Sequence, residues 1–271
     1  MITKYIPIIL VVAILLGCSS HEELAPPDNP FDPGNPDYVS PSVVVIDGPN
    51  EGEVLDVTST FIEWEGNESA TEYRYKFDTP DWSSWGASTS HTFDYLDEGN
   101  HSFEIQARSV NGDEQTDSQL LDFVVNAVAG PSAIVYPYKQ AGNPGDTLVY
   151  QIMAEEVTDL FAVECNISID DEYFELIEVI DGNILGEWGG EALRIQDVTE
   201  SSVSLSLVAV EGVMASFTGS TSIITLIVRI KSAAFSTSYS SAIDISNITY
   251  LNPDLETIDI AGVRSGGIHV Y

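Results

Sequence analysis

Beyond residue 41, apolar and polar side chains alternate with a period of two along most of the chain. Six short runs come first, between Ser42 and Asn126: "SVVVID", "TSTFIEWEG", "ATEYRYKFD", "SHTFDYL", "NHSFEIQARSV" and "LLDFVVN". Gly, Pro, Asn and Asp separate them. Successive side chains of a strand point to opposite faces, so this pattern predicts half-buried strands, an antiparallel sandwich of about seven. The small-residue stretch "AVAGPSA", Ala127 to Ala133, reads as a joint. Nine further segments follow: "AIVYPYK", "DTLVYQIMAEEV", "LFAVECNISID", "FELIEVID", "ALRIQDVT", "SVSLSLVAV", "SIITLIVRIKS", "AIDISNITYL" and "GGIHVY". They are rich in Ile, Val, Leu and Thr and show no helical period, which predicts a second β-sandwich, of jelly-roll size. The chain is therefore expected to be all-β, with two sandwiches that are not repeats of each other.

The third of these nine segments opens an acidic stretch, "ECNISIDDEYFELIEVIDGNIL", Glu164 to Leu185. As a strand it would place Phe161, Val163, Cys165, Ile167 and Ile169 on a packing face. Ala162, Glu164, Asn166, Ser168 and Asp170 would lie on a displayed one. Asp170, Asp171 and Glu172 then mark a corner, Glu175, Glu178 and Asp181 fall on solvent positions or turns, and Asp181-Gly182-Asn183 has turn chemistry. Glu164 is the one carboxylate of the stretch left with a candidate recognition role. Cys165, set in an apolar alternation, reads as a small buried hydrophobe.

Charge narrows the possible partners. Asp and Glu number 43 against 9 Lys and Arg in 271 residues, for a formal net charge of −34. Binding phosphate needs basic counter-charge, so nucleic acid is excluded as a partner, and a bare anionic membrane surface is disfavoured in the same way. The hydrophobic fraction of 44% is ample for two cores.

The segment before residue 42 is of another kind. Lys4 precedes an apolar run from Tyr5 to Leu16, too short to span a bilayer, which marks residues 1–17 as a signal peptide. Leu15-Leu16-Gly17-Cys18 resembles the lipobox of bacterial lipoproteins, and this resemblance implies that Cys18 is acylated and becomes the mature N-terminus. Membrane contact would then be through the lipid anchor only. Ser19 is not the Asp that retains many such proteins at an inner membrane, and His21-Glu22-Glu23 looks like an acidic export signal. The expected location is the outer membrane, surface-exposed or facing the periplasm. Residues 18–41 form a tether stiffened by Pro26, Pro27, Pro30, Pro33, Pro36 and Pro41. Asp28, Asn29, Asp32, Asn35 and Asp37 could suggest a calcium loop, but prolines break the spacing and no glycine-plus-glutamate pattern follows. Calcium is thus unsupported, and no cofactor is expected.

Nothing in the sequence assembles an active centre. His21, His91, His101 and His269 are scattered, none at metal-ligand spacing from another His or Cys. No serine stands in a Gly-x-Ser-x-Gly elbow, and among 43 acids a pair of neighbouring carboxylates would arise by chance. The chain is read as a non-enzyme without a metal site.

Two family resemblances add to this reading. Trp64, then Tyr73 and Tyr75, "WSSW" at Trp82 to Trp85, and "YLDEGNHSFEIQARSVNGDEQ" together resemble a fibronectin type III or immunoglobulin-like module, in the tyrosine-rich version found beside bacterial sensor proteins. The module would occupy 42–127. His101 stands where that family usually has a tyrosine, which puts its corner hydrogen bond in doubt. Trp82 and Trp85 serve either packing or sugar stacking.

The second half, 132–271, is similar to cohesin, the domain by which bacterial surface scaffolds hold dockerin-tagged enzymes. The resemblance runs in order through "AGNPGDTLVYQI", "LFAVECNISIDDEYFELIEVIDGNIL", "SIITLIVRIKS" and "ITYLNPDLETIDIAGVRSGGIHV"; Ile169-Asp170-Asp171 departs from the family's aromatic-Asp-Pro corner. It implies a jelly roll whose third, fifth, sixth and eighth strands form a flat docking face. Carried onto this chain, the face would present Ala162, Glu164 and Asn166, then Arg194 and Gln196, then Ser202, Ser204 and Ser206. The function so implied is a cell-surface binding lipoprotein that docks a dockerin-bearing enzyme in polysaccharide degradation. Two alternatives stay open: direct binding of polysaccharide by the jelly roll, with Trp188 in "GEWGGE" as the contact, or a structural adhesin or assembly subunit.

Overall fold

The computed structural model describes residues 32–190, 192–210 and 216–271. The expected signal peptide, the lipidation candidate Cys18 and the first part of the tether lie outside the described residues. Asp32 Oδ1 accepts the N–H of Gly34 and Asn35 Oδ1 that of Asp37, each at 2.9 Å. These two oxygens, considered for calcium, close turns instead.

Seven strands build the first sandwich: β1 (Val43–Asp47), β2 (Val54–Leu55), β3 (Ser59–Gly66), β4 (Glu72–Phe77), β5 (Ser90–Asp94), β6 (Gly99–Arg108) and β7 (Gln119–Val125). One sheet has the order β1-β3-β5, the other β2-β7-β6-β4. Two-residue β2 is too short to show a period and is the strand that alternation misses. Ile62, Trp64, Phe103, Ile105, Phe123 and Val125 fill the space between the sheets, and Trp64 Nε1 donates to the Ser88 carbonyl at 3.1 Å.

Trp82 and Trp85 are half-buried, with cations lying over their rings. The Arg74 guanidinium lies over both, 4.8 and 4.3 Å from the centroids, Lys76 sits 4.2 Å from Trp82, and Arg108 sits 4.6 Å from Trp85. Glu114, Glu104 and Glu72 pair with these three cations in turn. Of the two readings for the tryptophans, the contacts match packing. His101 is buried, with a hydrogen-bond partner at each ring nitrogen. Its Nδ1 is 2.6 Å from Asp78 and its Nε2 2.8 Å from the Asp97 carbonyl. Burial works against a charged ring, but hydrogen bonds to Asp78 and to the Asp97 backbone outweigh it and hold the pKa above the ordinary value.

The second sandwich starts with β8 (Ser132–Tyr136), β9 (Lys139–Gly142), β10 (Thr147–Leu160), β11 (Ala162–Ile169) and β12 (Phe174–Asp181). After the short helix α1 (Ile184–Glu187) come β13 (Ala192–Val198), β14 (Ser202–Ala209), β15 (Phe217–Ile230) and β16 (Thr237–Leu251). Short β17 (Thr257–Ile258), β18 (Gly262–Arg264) and β19 (Gly266–Val270) end the chain. The sheets are β12-β15-β10-β8-β18 and β13-β14-β11-β16-β19-β9, with β17 paired to β16. Both sandwiches are built of β-strands, and among the described residues no sheet contains strands from both.

Ile152, Leu226 and Val228 of one sheet meet Val163, Ile167, Leu205, Leu207 and Ile243 of the other. Two buried tyrosines cross this interior in opposite directions. Tyr150 Oη donates to the Gly267 carbonyl at 2.7 Å, and Tyr250 Oη to the Ser132 carbonyl at 3.2 Å. A phenol taken out of water needs such a partner, and burial raises the pKa of both.

Trp188 requires a correction. The turn at Gly182, where an added Cβ would run into the Ser222 and Ile223 backbone, leads straight into α1, with Trp188 at its C-cap. The indole is fully buried, and its Nε1 donates to the Leu160 carbonyl at 3.0 Å. A ring with both faces in a core has none to stack on a sugar, so Trp188 is a structural residue. Trp188→Ala is expected to lower stability by about 3–5 kcal/mol, as for other buried aromatics, measured by chemical denaturation followed by circular dichroism.

Candidate binding face

The four strands nominated by the cohesin resemblance are β11, β13, β14 and β16, and they lie side by side in the order β13-β14-β11-β16. Residues directly opposite in a ladder share a face. Glu164 is opposite Ser206 on β14 and Thr249 on β16. Asn166 is opposite Ser204 and Ser246, and Ser168 is opposite Ser202 and Asp244. These residues therefore share the outer face, while Val163, Cys165, Ile167, Leu205 and Leu207 occupy the inner one. Glu164, Ser168 and Ser204 are exposed, Asn166, Ser202 and Ser206 half-buried. Ser204 Oγ donates to Asn166 Oδ1 at 2.8 Å.

Three nominated residues are placed differently. Ala162 belongs to the outer row but is buried, its methyl group set between Val208 and Leu251 of the neighbouring strands. Arg194 and Gln196 are on the inner side of β13, opposite Leu207 and Leu205. Arg194 donates to Gln196 and pairs with Asp181 at the end of β12, in the opposite sheet. The physical reason is the position of β13 at the sheet edge. There the inner side is open enough for a guanidinium to reach across and find a carboxylate, so a polar residue does not have to point outward.

The same register turns Leu193 and Ile195 outward, 61% and 67% exposed. Sequence reasoning missed them because apolar residues in an alternating run were taken as core. A signal was present: Arg and Gln alternate with them, so one of the two sets had to break the usual rule. The outer face thus has an aliphatic border on β13 and a hydroxyl- and amide-rich centre. Among the described residues its charges are Glu164, Asp197 and Asp244, all negative.

Cys165 points into the core, where burial, with a smaller effect from Glu164, pushes its thiol up to about 12. It is inert as a nucleophile in the folded state. Native protein is expected to resist alkylation at Cys165 and to react only after denaturation, read by intact mass.

No family model matches the chain, and no curated protein matches it. Among solved structures it is similar to several cohesins. One is a type I cohesin from Clostridium thermocellum, solved in a cohesin–dockerin complex, with 14% identity over 52% of this chain and 98% of that chain and a TM-score of 0.43. Another is a non-cellulosomal cohesin from the hyperthermophilic archaeon Archaeoglobus fulgidus, with 14% identity over 52% and 90% and a TM-score of 0.39. A third is a type II cohesin domain from the cellulosome of Acetivibrio cellulolyticus, with 11% identity over 49% and 90% and a TM-score of 0.40. The class defined by the fold is an all-β protein of two sandwiches, the second with a continuous four-strand outer face.

Because the Arg194–Asp181 pair is partly exposed, Arg194→Ala is expected to lower stability by no more than about 1 kcal/mol in urea denaturation. The outer face, on the other side of β13, is expected to be unaffected.

Proposed function

We propose that this chain is a binding protein whose second sandwich docks a protein partner on the outer face of β13-β14-β11-β16. The observation that carries this reading is the continuity of that face: a polar centre at Glu164, Asn166, Ser204 and Ser206 bordered by exposed Leu193 and Ile195. A polar surface with a few aliphatic anchors is what a protein interface requires, and the purely acidic charge selects a partner that brings Lys or Arg together with an apolar side chain. Following the cohesin resemblance of the sequence, the partner is a dockerin module of a polysaccharide-degrading enzyme. The chain itself carries no catalytic role in this reading.

The remaining assignments rest on the sequence. Residues 1–17 are a signal peptide, Cys18 carries the lipid, and 18–41 form a tether holding the chain at the outer membrane. Residues 42–127 act as a fibronectin type III or immunoglobulin-like spacer, and 132–271 as the cohesin-like domain. Direct sugar binding loses its proposed contact with the burial of Trp188.

The test is a pull-down and calorimetric titration against dockerin modules encoded in the same genome. At least one is expected to bind. Glu164→Lys and Ile195→Asp are each expected to weaken it tenfold or more, with melting temperatures unchanged, while Arg194→Ala leaves it intact. A panel without a binder, or binding indifferent to both face variants, overturns the proposal.

A further inference from the structure

The second sandwich turns a further surface to solvent, the back of β12-β15-β10-β8, on the sheet opposite the outer face. Ladder partners set its residues in rows. Val149 is opposite Ile227, and Ile227 is opposite Glu178. In the next row Gln151 lies between Tyr136 and Thr225, and Thr225 is opposite Ile180. In the row before, Thr147 is opposite Arg229, which pairs with Glu175 opposite it on β12. Leu148, Tyr150, Leu226 and Val228 alternate with these residues and fill the core, so strand parity forces the others outward. Ile177 stands in the β12 bulge between Leu176 and Glu178 and is exposed as well. Beyond Gln151 the free surface ends, because Ile134, opposite Met153, is fully buried.

This back surface is apolar and nearly neutral. Val149, Ile177, Ile180 and Tyr136 are 50%, 45%, 43% and 40% exposed, and Ile227 and Thr225 are half-buried. Its charged groups are the Arg229–Glu175 pair and Glu178, which leave one net negative charge. The chain as a whole carries −34. By contrast the outer face carries Glu164, Asp197 and Asp244 and, among the described residues, no cation. The two sheets of one sandwich thus show solvent surfaces of opposite character.

That difference decides the occupant. In a two-fold dimer a patch meets the same patch of the other copy, so any unbalanced charge faces its like. An acidic face repels itself and suits a basic partner. An apolar, nearly neutral surface has no such repulsion, and it is where two strongly acidic chains can touch. We propose that the back of β12-β15-β10-β8 is a self-association surface, on which a second copy of this chain docks through the same residues. Size sets the strength of the contact. Four strands about 4.8 Å apart, with some six residues at about 3.4 Å each, give a footprint of roughly 20 Å by 20 Å, or about 800 Å² over both copies. Stable interfaces bury about 1,200–2,000 Å², so the dimer is weak and reversible. Because the outer face belongs to the opposite sheet, each copy keeps it free, and the dimer presents two outer faces pointing away from each other.

Sedimentation velocity tests this on the chain from residue 18 onward, with Cys18→Ser to keep lipid off, between about 10 μM and about 1 mM protein. Salt of about 0.5 M screens the repulsion between two acidic chains. The weight-average sedimentation coefficient is expected to rise with concentration toward that of a dimer. Val149→Asp and Ile180→Asp, each placing a carboxylate in the apolar contact, are expected to raise the dissociation constant about tenfold or more. Should Val149→Asp fail to fold, Ile180→Asp on the edge strand still decides. Ile195→Asp, on the outer face, is expected to leave the association unchanged. A chain that stays monomeric over the whole range, association that both back-surface variants leave intact, or association that Ile195→Asp abolishes overturns the proposal.

Discussion

The pairing register of β14 with β11 on one side and β13 on the other decides which residues this protein displays on the outer face. Side chains alternate strictly along each strand, so a shift of one residue would send Glu164, Asn166, Ser204 and Ser206 into the interior and turn Cys165 and Leu205 out. The apolar inner row prevents that shift. Val163, Cys165, Ile167, Val203, Leu205 and Leu207 are all nearly or fully buried, and exposing them would sacrifice most of the apolar burial of these strands. The outer face is therefore determined by the inner one.

The interior also constrains its own polar groups. Tyr150, Tyr250 and Trp188 bring hydrogen-bonding atoms into the buried interior, and each ends on a backbone carbonyl of another segment. These bonds are positional, because the carbonyl must be where the ring ends, and the two tyrosines tie β10 to β19 and β16 to β8 across the sandwich. Cations are used in the same structural manner. Arg74, Lys76 and Arg108 lie against tryptophan faces, Arg194 and Arg229 pair with carboxylates, Lys231 donates to the Asp171 carbonyl, and Arg264 joins the sandwiches. With so few Lys and Arg in an acidic chain, the charged groups of the outer face are, among the described residues, all carboxylates.

Legibility followed length and position. Strands with several alternations, such as β6, β11 and β14, were readable because five or more residues repeat one choice between inside and outside. Strands β2, β9, β17 and β18, two to four residues long, give no period to read. Parity was right wherever a strand is sealed by neighbours on both sides, as for Glu164 and the β14 serines. It was wrong on β13, where Arg194 reaches an acid in the opposite sheet and Leu193 and Ile195 are left outside. Trp188 misled for a related reason: its setting among glycines and acids reads as a loop, but the loop turns back over the sandwich and places the ring in the core.

By itself the sequence determined the all-β class, the packing side of β11 and β14 and the strong acidic excess, since each depends on residue type and local spacing. The tertiary structure alone decided that β13 is an edge strand, that Trp188 is core, and that Arg264 meets Glu98 across the joint. Those outcomes depend on which segments become neighbours in space, and a hydrogen-bond ladder or an ion pair between residues 166 positions apart leaves no local pattern in the chain.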